Sequence, residues 1–182
     1  HIFLGECRAI HAGSMMVQNK LGTKVWVFCS SALAIALLVC GAAQSSIGEK
    51  KLDQDLQDLV KALRSINYNV RFEKTPITGK YGLTDAKNKT IWVAPITIEM
   101  GIFRKTLIHE AVHAVQSCQS GKFMPIGWEL SVSPVIEQSI KSNLYLNYPR
   151  KSHIIEKEAF LMQAQEKPIP MILETIKTRC NK

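Results

Sequence analysis

Apolar side chains recur at helical spacing in several parts of the chain. The clearest case is residues 49–66, where aliphatic residues return at steps of three and four, with charged and amide side chains between them. A second such stretch begins near residue 99 or 102 and reaches Cys118, and Gly121 follows at a position where it can end a helix. Pro134 and Ser152 are start signals for two further helices, over residues 134–144 and 152–165, and the pattern predicts a last helix over residues 171–179.

Two stretches have the alternation and composition of strands instead. Residues 68–72 alternate polar and apolar side chains and predict a short strand. Residues 80–94 predict a hairpin, because the β-branched and aromatic residues 90–93 follow a polar, turn-forming sequence at residues 85–89. A short sheet combined with several helices predicts an α+β fold.

The composition is that of an ordinary globular domain. Of the 182 residues, 46% are hydrophobic and 21% are charged, which excludes a collagen-like, coiled-coil or wholly disordered chain. The formal net charge is +8, but the basic residues are scattered singly rather than clustered with aromatic side chains. We therefore expect no binding to nucleic acid. We also expect the protein to be a monomer.

The N-terminal part of the chain has a different pattern. Residues 25–40 carry no charge, Lys20 and Lys24 stand just before them, and small residues follow at positions 41–43. This arrangement predicts a secretory signal peptide over residues 16–43, preceded by an upstream extension over residues 1–15. The apolar run is shorter than the roughly 20 residues that span a membrane, although an uncleaved N-terminal anchor is the alternative.

Signal cleavage would leave one domain over residues 44–182, either secreted or in the periplasm or cell envelope, without stable membrane association. Of the five cysteines in the chain, Cys118 and Cys180 lie in this domain. An even pair in an oxidising compartment predicts a disulfide, with two packed thiols as the alternative. The bond would tie the C-terminal tail to the end of the long helix.

The sequence His-Glu-Ala-Val-His, from His109 to His113, lies inside the helix that is predicted to end at Cys118. Residues four apart stand one above the other on a helix, so both imidazoles can reach a single Zn²⁺. Glu110 lies beside them and can take a proton from water that the metal activates. The flanking residues are uncharged, as a helix packed behind a metal requires, whereas two histidines on a solvent-exposed helix would have charged neighbours.

This motif resembles that of the zincin metallopeptidases, and the resemblance covers roughly residues 81–165. It implies a zincin-like fold, in which a short mixed or antiparallel sheet lies over the active-site helix and its antiparallel edge strand aligns the substrate. Residues 91–93 would form that strand here, with further helices on the C-terminal side. It also implies a zinc peptidase that acts on a peptide or protein substrate, with Glu110 as the general base.

A third metal ligand must come from elsewhere in the chain. The metzincin branch has a third histidine six residues beyond the motif, but position 119 is Gln. The gluzincin branch takes a glutamate from a second helix, and residues 156–160, Glu-Lys-Glu-Ala-Phe, resemble its E-x-x-A-[D/N] variant. The resemblance makes Glu156 the ligand and Ala159 the small residue packed against the first helix. Phe160 stands where the variant has Asp or Asn, so Glu158 stays open as the alternative ligand.

Gluzincin peptidases usually add a His or Tyr that donates a hydrogen bond to the oxyanion of the reaction. Tyr148 and His153, just ahead of the third-ligand helix, are the candidates here. Two other classes also stay open: a zincin-fold metal-binding protein without peptidase activity, and an N-terminally anchored envelope protein with a structural zinc. Glu110 favours the peptidase, because a structural zinc needs no free carboxylate beside it, whereas a fourth protein ligand would favour the structural site.

Overall fold

The structure is a computed structural model in which residues 52–180 are described. The predicted extension and signal peptide, residues 1–43, lie outside the described residues, and none of the described helices is long and apolar enough to cross a membrane. The elements are α1 (Gln54–Ser65), β1 (Asn69–Arg71), β2 (Gly82–Asp85), β3 (Thr90–Val93), α2 (Ile96–Glu99), α3 (Phe103–Ser117), α4 (Pro134–Asn147), α5 (His153–Gln163) and α6 (Pro168–Thr175). This arrangement confirms the α+β class.

The three strands form one mixed sheet in the order β1-β3-β2. β1 pairs with β3 in parallel, and β2 pairs with β3 in the antiparallel direction, as the predicted hairpin requires. The prediction that residues 91–93 form the edge strand is therefore wrong: β3 is central, because β1 occupies its other side with Val70 opposite Ile91. The antiparallel edge strand is β2.

α3 is the central helix of the domain. Every residue from Leu107 to Ser117 is buried, so this part of the helix is enclosed on all sides. The apolar cluster around it draws side chains from α1, β1, β3, α5 and α6. Because a buried polar group without a hydrogen-bond partner costs free energy, the polar residues of this helix need partners inside the domain.

The helix ends follow local signals that the hydrophobic pattern does not contain. α1 begins at Gln54 rather than near residue 49, because the Asp53 side chain accepts a hydrogen bond from the backbone N–H of Leu56. α6 begins at Pro168 rather than at residue 171, and its two prolines stand in the first turn, where a missing N–H breaks no helical bond. The short helix α2 was not predicted.

α5 begins differently from the prediction. A 3₁₀ turn (Arg150–Ser152) leads into it, and the Ser152 hydroxyl donates to the carbonyl of Pro149, 2.9 Å away. Ser152 is the N-cap residue of α5, as its predicted role as start signal requires, but its side chain makes no capping hydrogen bond. This turn connects α4 to α5.

The C-terminus of the domain is tied to the end of α3. A π-helical turn (Ile176–Cys180) follows α6, and Cys180 forms a disulfide with Cys118, which confirms the predicted bond. Gly121 adopts a positive φ of 68° just beyond α3, and its N–H donates to the carbonyl of Ser117, as its predicted terminating role requires.

Candidate metal centre

α3 places His109, Glu110 and His113 in the interior of the domain. These side chains belong to the buried part of the helix, with between 6% and 8% of each residue exposed. The two imidazoles meet edge to face with ring centroids 4.8 Å apart, and their Nε2 atoms are 3.2 Å apart. Both rings therefore bring Nε2 to one point, as the four-residue spacing predicts.

α5 supplies a third donor to the same point. Oε2 of Glu156 lies 3.2 Å from Nε2 of His109 and 3.4 Å from Nε2 of His113. Among residues 52–180, these three side chains form the group of donors that could hold a metal ion. Atoms that bind a tetrahedral Zn²⁺ at about 2.0–2.1 Å lie about 3.3 Å from one another. The donor types and the spacing therefore fit zinc.

Glu158, the alternative ligand, lies in different surroundings. Its two oxygens accept the backbone N–H groups of Ile126 and Gly127 at 2.7–3.0 Å, and Oε2 also accepts from Nε2 of Gln116 at 2.9 Å. Two residues along a helix correspond to a rotation of about 200°, so Glu156 and Glu158 project in nearly opposite directions. The structure brings Glu156, and not Glu158, to the two histidines. We call Gln116, Glu158 and these two backbone N–H groups the loop clamp.

The charges in the centre favour a cation. Burial raises the pKa of Glu156, but the hydrogen bonds with His109 and His113 outweigh it and lower the pKa to about 2. Burial alone would lower the pKa of His113, yet its hydrogen bond to Glu156 and the charges of Glu110 and Glu156 leave that pKa above its usual value. Positive charge is thus stabilised at this point, either as a proton on an imidazole or as a metal ion between neutral imidazoles.

Glu110 lies against the edge strand β2. Its Oε2 accepts a hydrogen bond from the hydroxyl of Thr84 at 2.7 Å. Gly82 also lies close to this carboxylate: a Cβ added there would collide with Oε1 of Glu110 and would lie 2.7 Å from Cγ2 of Thr106. The absence of a side chain at Gly82 therefore allows the strand and the carboxylate to meet.

Tyr148 and His153, the two oxyanion candidates, have different surroundings. Burial, followed by the negative charges of Glu156 and Glu110, raises the pKa of Tyr148 to about 12, so its hydroxyl is a hydrogen-bond donor at neutral pH. His153 instead lies with Nε2 2.9 Å from the backbone carbonyl of Tyr148, so this nitrogen holds the turn ahead of α5. The ring of Tyr148 packs edge to face on that of Phe160, with centroids 5.8 Å apart, and Tyr148 stays the candidate whose side-chain donor is not used in this turn.

Phe160, which departs from the gluzincin pattern, packs on the candidate ligand His109. The ring of Phe160 lies 4.6 Å from the ring of His109 and 5.8 Å from that of Tyr148, measured between centroids. Ala159 is fully buried in the core beside α3. An aromatic contact thus supports His109 at the position where the variant would offer a hydrogen bond.

His113 has a polar partner that the sequence reasoning missed. Oε1 of Gln116 lies 2.7 Å from Nδ1 of His113, and the Gln116 residue is only 1% exposed. The available signal was its position three residues after His113, because residues at that spacing share a helix face. Thr84 and Gly82 were missed as well, and their role depends on how β2 lies against α3.

Residues 78–180 match the family described as Domain of unknown function (DUF8637). The match spans more than half of the chain and includes every residue of the candidate centre, and the chain belongs to this family. No curated protein and no solved structure matches the chain. The description of the family names no activity, so the functional conclusion rests on the geometry of the centre.

Proposed function

We propose that the protein is a secreted zinc metallopeptidase of gluzincin type, with a zincin-like fold, which hydrolyses a peptide or protein substrate. The observation that carries this proposal is the convergence of His109, His113 and Glu156 at the spacing of a tetrahedral zinc site, beside the buried carboxylate of Glu110. The group has three donors within the described residues. Three protein ligands leave one tetrahedral position for water or substrate, as catalytic zinc requires and structural zinc does not.

The side chains around the centre have complementary roles in this proposal. When bound, zinc supplies a Lewis acid that polarises the scissile carbonyl and lowers the pKa of water to about 7. Glu110 takes the proton of the attacking water and passes it to the leaving amine. Thr84 holds Oε2 of that carboxylate, and Oε1 lies against Gly82, on the side of the edge strand. Tyr148 donates its hydroxyl proton in a hydrogen bond to the oxyanion.

The proposal assigns substrate alignment to β2. This strand is the antiparallel edge of the described sheet, and its residue Gly82 lies against Glu110. An extended peptide can add to the edge of a sheet through backbone hydrogen bonds. A substrate on β2 would therefore run past the carboxylate that acts as the base. The signal pattern of residues 16–43 supports export.

A metal-binding protein without peptidase activity is the second candidate. The observation that favours it is the hydrogen bond between Thr84 and Glu110, because a carboxylate engaged with the protein is less free to act on water. The two candidates share the metal ligands and differ in the role of Glu110.

The substitution Glu110→Gln separates the two candidates. It keeps the shape of the side chain and removes the base without removing a metal donor, so we expect about one zinc per chain and hydrolysis of a quenched fluorescent peptide library lowered by about 10²–10⁴-fold. Glu99→Gln, on the exposed end of α2, is the matched control and should keep both properties. A wild-type chain that holds zinc and cleaves nothing would favour the second candidate. Undiminished hydrolysis in Glu110→Gln would remove that residue from the mechanism.

A further inference from the structure

We infer that Gln116 and Glu158 are positioning residues for the metal ligand His113, and that they couple the metal centre to the loop that follows α3. The inference rests on the proposed metal centre and adds two residues that bind no metal. Their contacts form a continuous chain of hydrogen bonds from the ring of His113 to the backbone of residues 126 and 127.

Gln116 determines which nitrogen of His113 carries the proton. The amide nitrogen of Gln116 faces two acceptors, the carbonyl of Ile155 and Oε2 of Glu158, each at 2.9 Å. Its oxygen must therefore be the atom that faces Nδ1 of His113, 2.7 Å away, and an oxygen can only accept there. Nδ1 consequently carries the hydrogen, and Nε2 keeps the lone pair that a metal needs.

Glu158 holds the other end of the chain of bonds. Its carboxylate accepts from two loop N–H groups and from the amide of Gln116, and only 8% of the residue is exposed. If the loop moved away, a buried carboxylate would lose two of its donors, which is costly. The positions of Gln116 and of the loop are therefore fixed together.

The loop held in this way lies beside the centre. Its Phe123 ring packs against the ring of His113 with centroids 5.5 Å apart, and the Met124 N–H donates to the backbone carbonyl of Gln116 at 3.0 Å. His113 is thus linked to the loop both by the ring of Phe123 and by the loop clamp. A metal that fixes the imidazole should also protect the clamped amides from exchange, and a broken clamp should weaken metal binding.

Gln116→Met tests the polar role of the side chain. Methionine has nearly the same length but cannot donate to Glu158, and its thioether sulfur is only a weak acceptor for Nδ1. We expect zinc affinity, measured by competition with a chromophoric chelator, to fall about 10- to 100-fold, and the amides of Ile126 and Gly127 to exchange faster. Gln119→Met makes the same chemical change at an exposed position three residues further along and should keep wild-type affinity.

A swap of the two side chains distinguishes hydrogen bonding from packing. Gln116→Glu alone places two carboxylates at the 2.9 Å contact and should weaken zinc binding. Adding Glu158→Gln restores a donor between the two positions and keeps an acceptor for Nδ1 of His113 and for the loop amides. The Ile155 carbonyl still lacks the donor that Gln116 supplies, so part of the lost affinity should return. This rescue also provides the test if Gln116→Met does not fold.

The outcomes separate this inference from the proposed function. Wild-type zinc affinity in Gln116→Met, or a double variant weaker than either single variant, would overturn the positioning role and leave the metal centre intact. A wild-type chain that binds no zinc would overturn the proposed function itself. Weaker binding in the single variants with rescue in the swap supports the inference.

Discussion

Two polar regions lie between α3 and α5. One is the donor cluster, formed by His109, His113 and Glu156, and the other is the loop clamp around Glu158. In the donor cluster, a carboxylate oxygen and two imidazole nitrogens face one another at 3.2–3.4 Å. In the loop clamp, a carboxylate faces three N–H groups at 2.7–3.0 Å. The donor cluster brings together lone pairs that a cation can share. In the loop clamp, N–H groups of the protein already donate hydrogen bonds to the carboxylate.

The difference shows that the neighbours of a carboxylate, rather than its residue type, determine its role. Glu156 and Glu158 stand two residues apart on α5, and both lie close to α3. The rotation of about 200° between them sends one toward the histidines and the other toward the loop. The following predictions test first the disulfide outside these two regions, then the difference between the two glutamates, and then the charges of the donor cluster.

The largest expected effect concerns the disulfide, which lies beyond both regions. Replacing Cys118 and Cys180 with serine releases a loop with a sequence separation of 62 residues. On the chain-entropy model this lowers the free energy of unfolding by about 4 kcal/mol, measurable by urea denaturation. Sγ of Cys118 lies 3.3 Å from the carbonyl of Val115, and the metal donors are His109, His113 and Glu156, so zinc affinity at a temperature where the domain stays folded should be unchanged. A loss of zinc by the folded variant would show that the disulfide is part of the site.

The next effect separates the two glutamates directly. Glu156→Ala removes one of three metal donors and should weaken zinc binding by about 3 kcal/mol, or more than a hundredfold. Glu158→Ala removes no donor, so its effect should come through Gln116 and stay near the lower end of a 10- to 100-fold range. Chelator competition measures both. If Glu158→Ala strips the metal while Glu156→Ala keeps it, the two regions have been assigned the wrong way round.

The smallest effect is the pH dependence of the metal-free donor cluster. The pKa of Glu156 is lowered from 4.5 to about 2, so its contribution to stability is present above pH 4.5 and is lost as the pH falls through about 2. The pKa of His113 is raised from 6.5, so its contribution is present below pH 6.5 and is lost as the pH rises through the raised value.

Thermal unfolding of the chelator-treated protein measures this dependence. The difference in Tm between the wild type and Glu156→Gln should be largest between about pH 4.5 and 6.5 and should shrink on both sides. Saturating zinc should remove the alkaline loss, because the metal replaces the proton. Glu174→Gln, at an exposed position on α6, is the matched control and should show no such maximum. A difference that keeps growing above pH 7 would contradict these charge assignments.

The features that the sequence predicts correctly depend on residues close together in the chain. The placement of the His-Glu-Ala-Val-His sequence on α3, the start of α4 at Pro134 and the end of α3 before Gly121 each follow from signals within a turn or two. The assignment of Glu156 as a metal ligand rests on a short pattern compared with a known family and stays a prediction, which the position of its Oε2 atom beside both histidines supports. The disulfide required only the count of cysteines and the expected compartment.

The features that the sequence did not predict depend on contacts between distant residues. β3 is central because Asn69–Arg71 pairs with it in parallel, and a hairpin pattern says nothing about a strand on the far side. In the sequence, Gln116 is an ordinary polar residue of the predicted helix. Its role depends on the contact with Glu158, which lies 42 residues further along the chain on α5. The contact between Gly82 and Glu110 likewise exists only once the sheet packs against the helix.

The most direct test of the central claim is an anomalous difference map at the zinc absorption edge, from crystals of the wild-type protein grown with zinc. The account predicts one strong peak between Nε2 of His109, Nε2 of His113 and Oε2 of Glu156, with a non-protein ligand at the fourth position. A structure with zinc present and no peak at this point would contradict the metal centre. A peak there with a protein side chain as fourth ligand would make the metal structural and would contradict the proposed catalysis.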